Sequence, residues 1–190
     1  MNLAPMNLVT DAWILLMIYW LVSALTAKRI KYVAPSHVRI TQLLFLVPGC
    51  MVLFGDRFRI GVLRIPVLPN AIAVADLGIG IAFAGIAFAI WARYCLGSNW
   101  SSAVAIKEDH ELIQSGPYRW IRHPIYTGIL AGAWGTAIVV GQLGAFFGVI
   151  LITLGLAYKG RQEELRLRGV FGDSWAVHEQ RTGMFLPRLR

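Results

Sequence analysis

Five apolar runs, at residues 8–27, 38–54, 71–92, 125–140 and 144–158, alternate with short polar segments along this chain. A helical run of about 20 apolar residues reaches across the ~30 Å hydrocarbon slab of a bilayer, since each residue rises ~1.5 Å. In lipid the backbone has to satisfy its own hydrogen bonds, which a helix does within one segment. The pattern therefore predicts an all-α, polytopic integral membrane protein with about five transmembrane helices. The hydrophobic share is 57%, above the ~45–50% of a soluble domain, and the excess sits in these blocks. Gly78, Gly80, Ala82, Ala84, Gly85, Ala87 and Ala89 crowd the third run and suit tight helix contact in lipid. Pro48 and Gly49 predict a kink in the second. The last two runs flank Gly141-Gln142-Leu143. A run of sixteen residues reaches only ~24 Å, so these two predict a short, tilted or incompletely spanning hairpin. Its Gly128, Ala131, Gly132, Gly135, Gly144 and Gly148 would let the arms approach closely.

Charge orients the chain. With the N-terminus outside, Arg57, Arg59 and Arg64 fall in outer loops, and the other fifteen Lys and Arg residues lie on the cytoplasmic side or at its span ends. The excess of cations on cytoplasmic loops predicts that orientation, with a cytoplasmic C-terminus. The net charge of +8 then reflects loops facing anionic lipid rather than nucleic-acid binding. The N-terminus lacks the basic region and cleavage site of a secretory signal. Cys50 and Cys95 read as small buried hydrophobes, with neither a disulfide nor a metal site expected. Residues 59–69 read as an outer loop or short hairpin held by Pro66 and Pro69. The chain forms one integrated domain, with three helices in residues 1–95 followed by a C-terminal region, 96–190, that carries the hairpin 125–158 and a cytoplasmic tail.

Two polar segments bracket the hairpin. One runs from Trp100 to Tyr126 and contains Tyr118, Arg119, Trp120, Arg122 and His123 packed around Pro124. The other contains Lys159, Arg161, Glu163, Glu164, Phe171, Gly172 and Trp175. Antiparallel hairpin arms would bring both to one cytoplasmic mouth. Carboxylates, cations and aromatic rings together suit a ligand with an amine, a carboxylate, hydroxyls and a flat base, such as S-adenosylmethionine, whose sulfonium favours aromatic faces and carboxylates. Singly, Arg122 and Lys159 also read as headgroup anchors, Tyr118, Trp120 and Tyr126 as an interfacial belt, and His123 as a structural hydrogen-bonder. His37, His178 and Asp11 read as structural.

The pieces Leu96-Gly97-Ser98-Asn99-Trp100-Ser101, His110-Glu111-Leu112-Ile113, Gly116-Pro117-Tyr118, Arg122-His123-Pro124-Ile125-Tyr126-Thr127-Gly128, Glu163-Glu164 and Phe171-Gly172 follow in order. Over residues 96–187 the chain thereby resembles the isoprenylcysteine carboxyl methyltransferase family, membrane enzymes related to phospholipid N-methyltransferases. The resemblance implies an S-adenosylmethionine site at His110, Glu111, Leu112, Ile113, Tyr118, His123, Pro124, Tyr126 and Glu163. It implies that Lys159, where animal members have arginine, holds a substrate carboxylate; Arg161 is a second cation for that role, and an amine substrate would need a proton acceptor, for which Glu164 or His123 are the candidates. Trp175 and His178 stand where the family often has tyrosines, and Met184 where many relatives carry arginine. The short, five-span chain looks prokaryotic. The expected activity is methyl transfer to a lipophilic small molecule or lipid, by resemblance to an isoprenylcysteine-like carboxylate, with an amine or thiol acceptor as the alternative. An NADPH-dependent membrane reductase and a non-enzymatic membrane protein of the same fold are the rival readings.

Overall fold

A computed structural model describes residues 3–25, 30–33, 35–97, 105–107 and 112–188. The apolar runs form helices α1 (Leu3–Ala24), α2 (Ser36–Phe54), α3 (Ile72–Leu96), α4 (Pro124–Val140) and α5 (Leu143–Phe171), and a short α6 (Asp173–Arg181) follows. Four of them, α1, α2, α3 and α5, are long and apolar enough to cross a membrane, and α4 is apolar but shorter. The expected polytopic helical architecture is therefore present. A two-stranded antiparallel ribbon, β1 (Ile30–Val33) with β2 (Ala105–Lys107), is added at the end where α1 stops and α2 starts.

The spans match their sequence limits to within about five residues, with one exception. α5 does not stop near Tyr158 but continues to Phe171, 29 residues in all. No proline or glycine pair interrupts 159–171, and Lys, Arg, Gln, Glu and Leu are good helix formers. The second hairpin arm is thus long, and its extension carries Lys159, Glu163 and Glu164. At the turn, Gly141 adopts the left-handed conformation (φ +67°) that closes α4.

The glycines of the hairpin do not pack its arms against each other, whereas Ala133, Ala137 and Ala145 share a core cluster between them. A Cβ on Gly128 would meet the Ala89 backbone N at 2.6 Å, and one on Gly135 the Ala82 N at 2.4 Å, both on α3. A Cβ on Gly85 of α3 would reach the Gly132 N at 2.4 Å. α4 thus lies backbone to backbone on α3. In the same way Gly148 of α5 touches the Gly49 carbonyl of α2, and Gly155 abuts Phe45 and Leu46. Gly144 faces Leu63 and Arg59. Gly49, beside Pro48 within the continuous α2, thus serves as a contact point. Two glycine-lined pairs, α3 with α4 and α2 with α5, form the bundle, and α1 closes it through Ala12, Leu16, Ile86 and Ala89 and through a bond from Trp13 Nε1 to Thr136 Oγ1 (3.0 Å). In lipid such close approach replaces hydrophobic burial as the source of helix association.

At the end away from the ribbon, Arg59 lies in the loop between α2 and α3 but is buried there. It is 2% exposed and donates to the Val52 and Leu53 carbonyls at the end of α2, to Gln142 Oε1 in the hairpin turn (2.8 Å) and to Asp56. Two 3-10 turns, Asp56–Phe58 and Gly61–Arg64, flank it, and the loop that follows is tied to the same turn by Val67 N–H to Gly141 O and Leu143 N–H to Ile65 O. Cys50 faces outward rather than into the core, and Cys95 is half-buried; both are free thiols. A lipid-facing position is as apolar as a core, so sequence cannot separate the two.

Gly85→Ala is expected to push α3 and α4 apart and lower the thermal unfolding midpoint in detergent micelles, since overpacking costs at least ~1–3 kcal/mol. Gly80→Ala, where a Cβ meets nothing within 4 Å, is expected to be neutral or stabilising by up to ~1 kcal/mol.

Candidate active site at the polar end of the hairpin

Gly116 (φ +56°) turns the chain into a 3-10 turn, Gly116–Arg119, and Pro124 then starts α4. Proline suits a first helical position, whose N–H has no partner within the helix. The residue before it, His123, takes a non-helical conformation (φ −122°, ψ 60°), as the ring of a following proline favours. That puts the imidazole at the head of α4, against α5. α5 carries a glycine there: a Cβ on Gly160 would lie 3.3 Å from His123 Nε2 and 2.6 Å from Met184 Cε.

Glu163 and Glu164 meet this head from α5. The Tyr126 hydroxyl donates to both oxygens of Glu163, at 2.8 and 2.9 Å. Glu164 Oε1 accepts from Arg122 Nε (2.7 Å) and lies 3.2 Å from His123 Nε2. His123 Nδ1 lies 3.5 Å from Glu163, so one ring sits between both carboxylates. Its plane is within 2° of that of Tyr126, with centroids 5.2 Å apart. Lys159 is 7% exposed, so it does not reach outward as a headgroup anchor. Its Nζ lies 3.9 Å from Glu163 Oε1, one helical turn away, and 5.3 Å from the centre of the Tyr126 ring. Two cations, two carboxylates, one imidazole and one phenol thus form a single box at the end of an apolar bundle.

The chain beyond α6 closes one wall. Arg122 and His123 donate their N–H groups to the Gly183 and Met184 carbonyls (2.9 and 3.0 Å), and Gly183 N–H returns to Trp120 O (3.2 Å). Arg122 Nη1 donates to the Thr182 carbonyl (2.5 Å), and Thr127 Oγ1 to that of Phe185 (2.6 Å). The Phe185 ring stands edge-on to both His123 and Tyr126.

Of the residues expected at the site, Lys159, Glu163, Glu164, His123 and Tyr126 converge in the box. Pro124 is buried at the head of α4. Tyr118 is buried beside Ala92 and Ile125, with Ile113 packed against them. Burial, and then the Glu163 carboxylate, push its phenol well above the ordinary range, so Tyr118 stays protonated. Leu112 is half-buried. His110 and Glu111 lie outside the described residues. Arg161 is not brought to the box: it is exposed and two residues from Lys159, so the two do not share a helix face. Arg122, expected at the polar mouth but not as a cofactor or substrate contact, joins the box, and Gly160 and the 182–185 wall carry no sequence signal for a site. Arg122 belongs to the same motif as His123. Nothing local in Thr182-Gly183-Met184-Phe185 marks it as a partner of residues 120–123.

Residues 78–168 match the profile of the isoprenylcysteine carboxyl methyltransferase (ICMT) family. A protein-S-isoprenylcysteine O-methyltransferase of Schizosaccharomyces pombe is 33% identical over 99 residues, 49% of this chain and 41% of that protein. A methanethiol S-methyltransferase of Pseudomonas deceptionensis is 36% identical over 75 residues, covering 38% and 27%. The cobalt-zinc-cadmium resistance protein CzcN of Cupriavidus metallidurans is 30% identical over 126 residues, covering 65% and 52%. The chain thus spans about half or less of each of these relatives.

Arg122→Leu removes the donor that joins Glu164 to the Thr182 carbonyl. Hydrogen exchange at residues 182–185 is expected to accelerate by roughly 10- to 150-fold, from the ~1.5–3 kcal/mol of a charged hydrogen bond, while exchange in α3 stays unchanged.

Proposed function

We infer, from the match of residues 78–168 to the isoprenylcysteine carboxyl methyltransferase family, that the chain is a membrane methyltransferase that takes its methyl group from S-adenosylmethionine. The observation that carries the reading is the box itself. The family-like segment around His123 and Tyr126 and the Glu163-Glu164 pair, some forty residues apart, meet through bonds of 2.8–3.2 Å.

The donor set fits such a cofactor. Glu163 retains some exposure, 19% of its side chain, and offers negative charge to an amine or sulfonium. The stacked His123 and Tyr126 offer flat faces for a cation or a base. The same carboxylates oppose the phosphates of a dinucleotide, which counts against a reductase. When bound, the cofactor supplies a methyl carbon activated by its sulfonium, and transfer to an anionic acceptor leaves a neutral thioether. An anionic acceptor needs no base, so the chain's own contribution is position and charge. Tyr126 and His123 hold Glu163 in one orientation, and Arg122 holds Glu164 and the wall behind it. Lys159, buried one turn before Glu163, supplies the cation for an acceptor carboxylate. The acceptor is lipophilic and enters between the helices. In this reading the bundle lies in a prokaryotic cytoplasmic membrane with the box facing the cytoplasm; the fifteen-to-three division of Lys and Arg supports that orientation.

Calorimetry on the detergent-solubilised chain tests the cofactor. S-adenosylhomocysteine is expected to bind and NADPH not to, and the reverse result would replace the methyltransferase reading with the reductase one. Glu163→Ala is expected to weaken S-adenosylhomocysteine at least ~10-fold, the loss of a charged hydrogen bond. For the acceptor, a lipid extract and radiolabelled methyl donor give the assay. Lys159→Met is expected to lower turnover or raise the acceptor KM while cofactor affinity holds. Lys159→Arg is expected to keep or raise activity on carboxylates, because the guanidinium fork binds both oxygens. Full activity of Lys159→Met would remove the carboxylate-acceptor reading and favour a thiol.

A further inference from the structure

Beside the 120–123/182–185 ladder lies a pocket of about 820 Å³ whose described lining includes none of the box residues. Arg119 and Trp120 line it from the segment before α4, His178 and Arg181 from α6, Pro187 and Arg188 from the tail, and Gln114 from the chain before Gly116. No carboxylate is among the described residues that line it. Burial, and then the nearby Arg122 charge, lower the His178 pKa, so the positive charge of the pocket comes from its three arginines.

We propose that this pocket holds the phosphate headgroup of an anionic membrane lipid. Three observations select that ligand. Charge is the first: three guanidinium groups without a lining carboxylate suit phosphate, which arginine binds through its planar fork. Depth is the second. Arg119 and Trp120 stand five and four residues before Pro124, where the apolar helix begins. Tryptophan and arginine there sit at headgroup level. The Arg119 guanidinium lies 5.9 Å from the centre of the Trp120 ring, and Trp120 and Leu186 are 52% and 72% exposed, apolar surface beside the pocket for the upper acyl chain. Size is the third. The cavity falls within the ~300–1,000 Å³ range of organic-ligand sites, room for a headgroup and its glycerol rather than a lone ion.

The placement gives the lipid a structural consequence. Its arginines flank both strands of the ladder, with Arg119 before Trp120 and Arg181 and Arg188 on either side of 182–185. A bound headgroup therefore joins the tail to the segment that holds His123, and slows opening of the wall. This inference stands apart from the methyl-transfer reading, because neither cofactor nor acceptor enters it.

Titration of the full-length chain in neutral detergent tests it, read by native mass spectrometry and by hydrogen exchange. The probes are dioctanoyl phosphatidylglycerol, dioctanoyl phosphatidylcholine and inorganic phosphate. One phosphatidylglycerol is expected to bind, to slow exchange at 182–185, and to resist phosphatidylcholine. Arg119→Gln/Arg181→Gln/Arg188→Gln is expected to weaken it by roughly 100-fold, from about fivefold per arginine. Unchanged lipid-free exchange in α4 would show that this variant is folded. Equal retention of the two lipids, or an unaffected triple variant, overturns the proposal. Equal affinity for inorganic phosphate overturns the lipid as the source. Competitive displacement by S-adenosylhomocysteine overturns it too, by making the pocket part of the cofactor site.

Discussion

Backbone contact between α3 and α4, at Gly85, Gly128 and Gly135, sets the position of Pro124 along the bundle and with it the height of His123 and Tyr126. A side chain at any of these glycines would hold the helices apart by the width of a methyl group or more. The second contact, Gly49 against Gly148, does the same for α5 and its Lys159 and Glu163. The two halves of the box are thus registered through two different neighbours. The short turn at Gly141 and Gln142 ties them together at the far end, where Arg59 fastens the turn to the end of α2. In lipid, where apolar surface gains little by touching apolar surface, this close backbone approach supplies the dispersion contact that orders the bundle.

Charge at the polar end is arranged to be nearly self-compensating. Glu163 and Glu164 sit largely shielded at the end of an apolar helix, a costly position for an isolated carboxylate. Arg122, Lys159 and the Tyr126 hydroxyl surround them. Removing one partner from such a group leaves the others uncompensated, so the residues act as a set rather than as separate anchors. His123 belongs to that set because it lies between both carboxylates and stacks flat on Tyr126. The tail beyond α6 covers the set from outside, with Phe185 edge-on to both rings.

Hydropathy alone placed the helices. Its one large error, at the end of α5, has a simple origin: residues after Tyr158 turn polar while remaining good helix formers, so the apolar run ends and the helix does not. The convergence of His123 and Tyr126 with Glu163 was legible because the hairpin is short and antiparallel. The partners of the hairpin glycines were not. Gly128 and Gly135 look alike whether the neighbour is α5 or α3, and only the pairing of helices in space decides between them. Arg59 reads as a loop cation because its acceptors, the Val52 and Leu53 carbonyls and Gln142, are a helix end and a turn more than eighty residues away.

What the sequence by itself determined is the set of membrane helices, the turn between α4 and α5, and the chemistry gathered at one end. These follow from local composition, since hydropathy, proline and glycine act over a few residues. The tertiary structure alone decided which helices share glycine-lined contacts, that Arg161 faces away while Lys159 is buried, and that residues 182–185 pair with 120–123. The contacts among these outcomes join backbone atoms some forty to a hundred residues apart, and a main-chain hydrogen bond leaves almost no trace in the identity of the residues that make it.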